Sequence, residues 1–148
     1  MKHLFNLRDV EELKARVRRL EPGITPKWGS FNPHRMLCHL SDQIEYALEI
    51  KGNSHFKKEG PPMFIRKLVR LYMPMPKGKI KTDPDMLVTQ PGEWEQDKDR
   101  MLTLIDCFSN ANDTEDWPVH PFFGPLKGLD WARLTWRHVD HHLRQFGV

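Results

Sequence analysis

The sequence predicts an all-α fold: a four-helix bundle with a long crossover between its second and third helices, one domain over residues 1–148. Three observations predict it. Four segments repeat apolar residues at steps of three and four, which is helical spacing. No segment alternates convincingly with period two, so little or no sheet is expected. About forty residues rich in proline, glycine and lysine separate the second segment from the third, and a crossover of that length permits those helices to run parallel.

The first helix is expected over residues 7–20. Leu7, Val10, Leu13, Val17 and Leu20 form one face, Asn6 is its N-cap, and Glu21-Pro22-Gly23 stops it. The second is expected over residues 33–50. Asn32 supplies a capping side chain and Pro33 a first helical residue whose missing N–H costs nothing there. Met36, Leu37, Leu40, Ile44, Ala47 and Leu48 make its apolar arc, and Lys51-Gly52-Asn53 ends it. A minor helix is expected over residues 64–73, closed by Pro74 and Pro76. The third main helix is expected over residues 92–108, with Trp94, Met101, Leu104, Ile105 and Phe108 on one face. The fourth is expected over residues 129–146, stopped by Gly147.

Composition bounds the function. Apolar residues are 39% and charged residues 29% of 148, an ordinary composition for a folded domain. A net charge of +3 is too small to argue for a nucleic-acid partner. No apolar run approaches the roughly 20 residues that a membrane helix needs. The N-terminal residues carry no secretory signal pattern, so a cytoplasmic location is expected. Cys38 and Cys107 fall inside helices as small core or boundary residues, and no disulfide is expected. Residues 57–81 hold eight basic residues and one acid, Glu59, which reads as a solvated crossover without the aromatic interleaving of a nucleic-acid site.

The last helix carries the chemistry. With about 100° per residue, His138 and His142 stand about 40° apart on the core side, beside Trp131 and Leu134. Arg133, Arg137, Asp140 and Arg144 gather opposite, and His141 sits at the border. Two imidazoles one turn apart are spaced to share a metal ion, and without partners each would cost on the order of 1–3 kcal/mol to bury. A hydrogen-bond network would also satisfy them. For a third ligand, His3 lies in a terminus expected to fray, His34 at the end of the bundle and His55 in the crossover. His39 stands well inside the second helix, at the edge of its apolar arc. Three histidines from two facing helices would leave a coordination position open for water or substrate. Gln43, Trp131 and Gln145 project from the same side and are candidates to support the ligands. The stretch His120-Pro121-Phe122-Phe123-Gly124-Pro125-Leu126 is either a lid bearing an acid–base histidine or a rigid aromatic plug.

The run 138–146, with its two histidines four apart, double histidine and glutamine, resembles the C-terminal motif of the DinB-like putative metalloenzymes. Residues 36–40 resemble that superfamily's second-helix motif. Residues 120–126, Trp131 and the closing His-His-Leu-Arg-Gln-Phe-Gly resemble a DinB-like subfamily of unknown function. The resemblance implies an up-down-down-up bundle and a zinc, nickel or iron ion held by His39, His138 and His142. Some relatives are thiol-dependent transferases. Leu143-Arg144-Gln145 departs from the usual Arg-Gly-Gln, so that activity is not carried over with the fold. The expected function is a divalent-metal-dependent enzyme, a hydrolase or thiol transferase acting on a small molecule. The alternative is a non-catalytic metal-stabilised bundle that serves as a binding or dimerisation module.

Overall fold

In a computed structural model of the chain, residues 1–50, 62, 64–66, 87–111 and 117–148 are described. Four helices carry the fold: α1 (Leu7–Arg18), α2 (Pro33–Ala47), α3 (Trp94–Asn110) and α4 (Gly128–Gln145). The fold is all-α. Among the described residues the one β feature is an isolated bridge between His120 and Gly124.

Local chemistry sets the helix ends. The Asn6 side chain accepts from the Asp9 N–H at 3.2 Å and Asn32 from the Arg35 N–H at 2.7 Å, each capping a helix start. α3 and α4 have no side-chain cap, but Glu95 and Asp97, and Asp130, place negative charge at their positive ends. Both α2 and α4 close with paired return bonds. Ile50 N–H reaches the Glu45 carbonyl and Glu49 N–H the Tyr46 carbonyl; Val148 N–H reaches Leu143 and Gly147 N–H reaches Arg144. Such a closure needs a left-handed residue. Gly147 supplies it at the end of α4, with φ 80°, and Glu49 supplies it at the end of α2, with φ 57°.

Several expected details change. α2 ends at Ala47, before Gly52, because the chain already turns left-handed at Glu49. α3 begins at Trp94 rather than at Gly92, whose N–H instead donates to Asp97. α1 stops at Arg18, and Leu20 turns back on a bond to Val17. Leu7, expected in the core, is exposed, and Leu4 takes that place, its N–H donating to the Ala132 carbonyl. His3 does not fray: its N–H donates to Asp9 Oδ2 at 3.1 Å and its ring meets Phe5 edge-on. Cys107 is exposed rather than a core or boundary residue, while Cys38 is buried, and both are free thiols. Of the minor helix only 64–66 is described, and it is helical; the rest of residues 64–73, His55 and most of the basic crossover lie outside the described residues.

One core serves all four helices, built from Leu13, Val17, Leu37, Leu40, Ile44, Ile105, Phe108, Trp131 and Leu143 among others. α1 packs on α3 and α4, and α2 packs on the same two. Lys14 pairs with Asp106 and Phe5 meets Phe108 across α1 and α3. Trp136 donates to the Asp9 carbonyl and Arg16 to Asp140 across α1 and α4. Glu45 accepts from Arg100 across α2 and α3. Tyr46 meets Trp131 across α2 and α4. Every residue from Met36 to Ala47 is buried, so α2 has working faces toward two neighbours rather than one apolar stripe. No helix among the described residues is long and apolar enough to cross a membrane.

Candidate metal centre

Three imidazoles converge on the seam between α2 and α4. His138 Nε2 stands 3.2 Å from His39 Nε2 and 3.2 Å from His142 Nε2. His39 and His142 are buried, at 4% and 8% exposure, and His138 is partly exposed. Zinc–imidazole bonds of about 2.0–2.1 Å in a tetrahedral site put ligand nitrogens about 3.3–3.4 Å apart. Both spacings from His138 Nε2 therefore match those around one ion. Among the described residues, no fourth histidine, cysteine or carboxylate joins the three within mutual reach.

The neighbours decide which nitrogens carry protons. Gln145 Nε2 donates to the Trp28 carbonyl at 2.6 Å. That bond turns Gln145 Oε1, an acceptor, toward His142 Nδ1 at 2.8 Å. His142 Nδ1 must then be the donor, and in the neutral ring Nε2 is a bare lone pair. Gln43 repeats the pattern more loosely. Its Nε2 faces Thr135 Oγ1 at 3.4 Å and its Oε1 faces His138 Nδ1 at 3.4 Å. The His142 Nε2 lone pair therefore points at His138 Nε2 across 3.2 Å, into the space the three rings share.

The electrostatics agree. Burial, then the charges of His142 and His39, holds His138 well below the usual histidine range. Burial, then His39, brings His142 down to about 3, against a smaller opposing effect of Gln145. Both rings are neutral at physiological pH, the form in which imidazole binds metals. Phe31 packs on His39 at 5.4 Å and on His142 at 5.8 Å, covering one side of the cluster with an apolar ring.

The loop before α2 locks this arrangement. Gly29, at φ +77°, lies where an added Cβ would meet Gln145 Nε2 at 2.6 Å. Trp28 packs on His141 at 5.7 Å, which in turn meets His142 edge-on at 5.2 Å. His141 thus lies beside the cluster and does not join it.

The remaining candidates divide. Gln43 and Gln145 touch the ligand rings, as their helix positions suggest. Trp131 does not: its indole N–H donates to the Pro118 carbonyl at 3.0 Å, and its ring lies between Tyr46 and His120. His120 Nδ1 accepts from the Phe122 and Phe123 N–H groups at 3.0 and 3.1 Å, which folds the 120–124 turn. Gly124, at φ 75°, completes that turn, and Arg66 lies over Phe122 and donates to its carbonyl at 2.6 Å. Sequence reasoning missed Trp28, Gly29 and Phe31, which carry no local signal. It also missed a second group of ligand-type side chains, His34, Cys38 and Asp97, on the other side of α2. The four-residue spacing of His34 and Cys38 was visible, but the approach of Asp97 from a helix some sixty residues away was not.

A family model described as Protein of unknown function (DUF1569) matches residues 2–147. No curated protein and no solved structure matches the chain. This finding overturns the resemblance to the DinB-like superfamily, which rested on residues 36–40, 120–126 and 138–147 and was read over nearly the whole chain: the family model that matches is a different one. From its second residue to its last but one, the chain belongs to the DUF1569 family, whose function is not known.

Proposed function

We propose that this protein is a divalent-metal-dependent enzyme of the hydrolytic kind, with its ion held by His39, His138 and His142. The observation that carries the reading is the convergence of three ε nitrogens, with His138 Nε2 standing 3.2 Å from both His39 Nε2 and His142 Nε2. His39, His138 and His142 hold the ion, Gln145 fixes the His142 tautomer, Gln43 lies against the His138 ring, and Phe31 keeps water from one side. The ion would supply Lewis acidity, which brings the pKa of a coordinated water toward neutrality. Three protein ligands, with no fourth among the described residues, leave a coordination position for water or substrate, which favours a working site over a closed structural one. Thiol transfer was suggested only by the overturned resemblance and loses its support with it.

The helix contacts support a bundle in up-down-down-up order. The early residues of α1 lie by the early residues of α4, and its late residues by the late ones. His34 and Ser41 meet Asp97 and Met101 in the same sense. Phe5 meets Phe108, and Tyr46 meets Trp131, in the opposite sense.

A second reading rests on the same seam. The ion would clip α2 to α4 across about a hundred residues of chain and could serve stability alone. Cobalt-substituted protein separates the two. Azide or a substrate-like carboxylate should perturb the visible bands of an open three-histidine site. A visible spectrum unmoved by saturating azide would favour the purely structural role.

A further inference from the structure

α2 presents its second polar face to α3. His34 and Cys38 lie one turn apart on it, and Asp97 projects from the first turn of α3. We propose that His34, Cys38 and Asp97 form a second divalent-metal site, of a type suited to zinc. Their ligand atoms all lie within 4.8 Å of one another. His34 Nε2 is 2.7 Å, and Cys38 Sγ 3.8 Å, from the same Asp97 oxygen.

The geometry is close to that of a bound ion. Zinc bonds of about 2.3 Å to sulfur and 2.0–2.2 Å to nitrogen and oxygen place tetrahedral neighbours roughly 3.4–3.6 Å apart. The sulfur–oxygen separation is already near this, and the His34–Asp97 pair opens by less than about 1 Å to admit the ion. The side chains are held for it. The Trp94 ring meets the His34 imidazole edge-on at 5.4 Å, and the Gly92 N–H donates to Asp97 Oδ2 at 2.8 Å.

Charge selects the ion. Binding releases the Cys38 proton to solvent and leaves a thiolate, a carboxylate and a neutral imidazole. Those two negative charges balance a dication. Arg100, the cation that acts on the thiol, is engaged by Glu45 Oε1 at 3.0 and 2.5 Å. A mixed sulfur, nitrogen and oxygen set suits zinc rather than magnesium or calcium. Cys38 is buried, while His34 and Asp97 are partly exposed and give the ion a way in. Cys38 and His39 are consecutive and project about 100° apart, so the two sites are separate and neither needs the other.

Sulfur makes the test specific, because the three-histidine cluster has none. Tag-free, metal-stripped full-length protein is titrated with cobalt(II) under reducing conditions. The expected result is a near-ultraviolet thiolate-to-cobalt charge-transfer band that saturates with one of about two equivalents bound. Cys38→Ser should abolish the band and leave about one equivalent, Asp97→Asn should weaken cobalt binding at least tenfold, and the double variant His39→Ala/His138→Ala should retain the band. Absence of the band in the unaltered protein at saturating cobalt overturns the proposal. So does a band that persists in Cys38→Ser and disappears in Cys107→Ser, which would assign it to the exposed thiol.

Discussion

Removing the Gln145 amide leaves His142 Nδ1 without its acceptor and frees the ring to turn or change tautomer. Gln145→Ala is therefore expected to weaken zinc binding by about 10–100-fold, the usual cost of losing such a support. Gln43→Ala should cost less, because its contact with His138 is 3.4 Å rather than 2.8 Å. Competition titration of both variants against a zinc chelator checks the order. The buried rings also fix a pH dependence. His142 binds its proton near pH 3 in the folded metal-free chain and near 6.5 when unfolded. Between those values the unfolded state holds more protons, so stability rises with pH. The contribution is fully present above about pH 6.5 and is lost as pH falls toward about 3. Denaturant melts of the stripped protein at several pH values measure it, and a flat profile for wild type and His142→Ala alike contradicts it. At this scale the sequence was legible where a pattern is local. His138 and His142 reveal themselves by helical spacing. The Gln145–Trp28 bond spans more than a hundred residues and leaves no such trace.

Helix ends show where element-level reading succeeds and where it stops. Asn32-Pro33 announced the start of α2, because both residues act on the chain immediately beside them. Its end was placed too late, since Gly52 invites a left-handed turn and the chain makes that turn at Glu49 instead. A side chain in the left-handed region costs roughly 1–2 kcal/mol, offset by about 0.5–1 kcal/mol of entropy when glycine takes its place. Glu49→Gly should therefore stabilise the protein by about 0.5–1 kcal/mol, read as a shift in denaturant midpoint without a change in slope. The burial of α2 on several sides was also beyond periodicity. Ser41, Asp42 and Glu45 lie outside the apolar arc in the sequence, and all three are buried. Asp42 accepts from Thr89 and Glu45 from Arg100, partners that only the folded chain brings near.

At the scale of the whole molecule, the all-α architecture followed from periodicity alone, and the family assignment did not follow from the histidine motif. Three converging imidazoles are a local solution that different families can reach, so a few matching segments around them carry less weight than a model matched over residues 2–147. The cluster joins α2 to α4, and an ion bound there would stabilise only the folded state. In a Cys38→Ser background, zinc at a hundredfold excess over the cluster's dissociation constant should raise stability by about 2.7 kcal/mol, and adding His138→Ala should lose that increment. The most direct measurement is anomalous diffraction at the zinc edge from crystals of tag-free protein grown with zinc. The account predicts a peak among the Nε2 atoms of His39, His138 and His142, at about 2.0–2.1 Å from each. Zinc bound only elsewhere, with those rings turned to other partners, would contradict it.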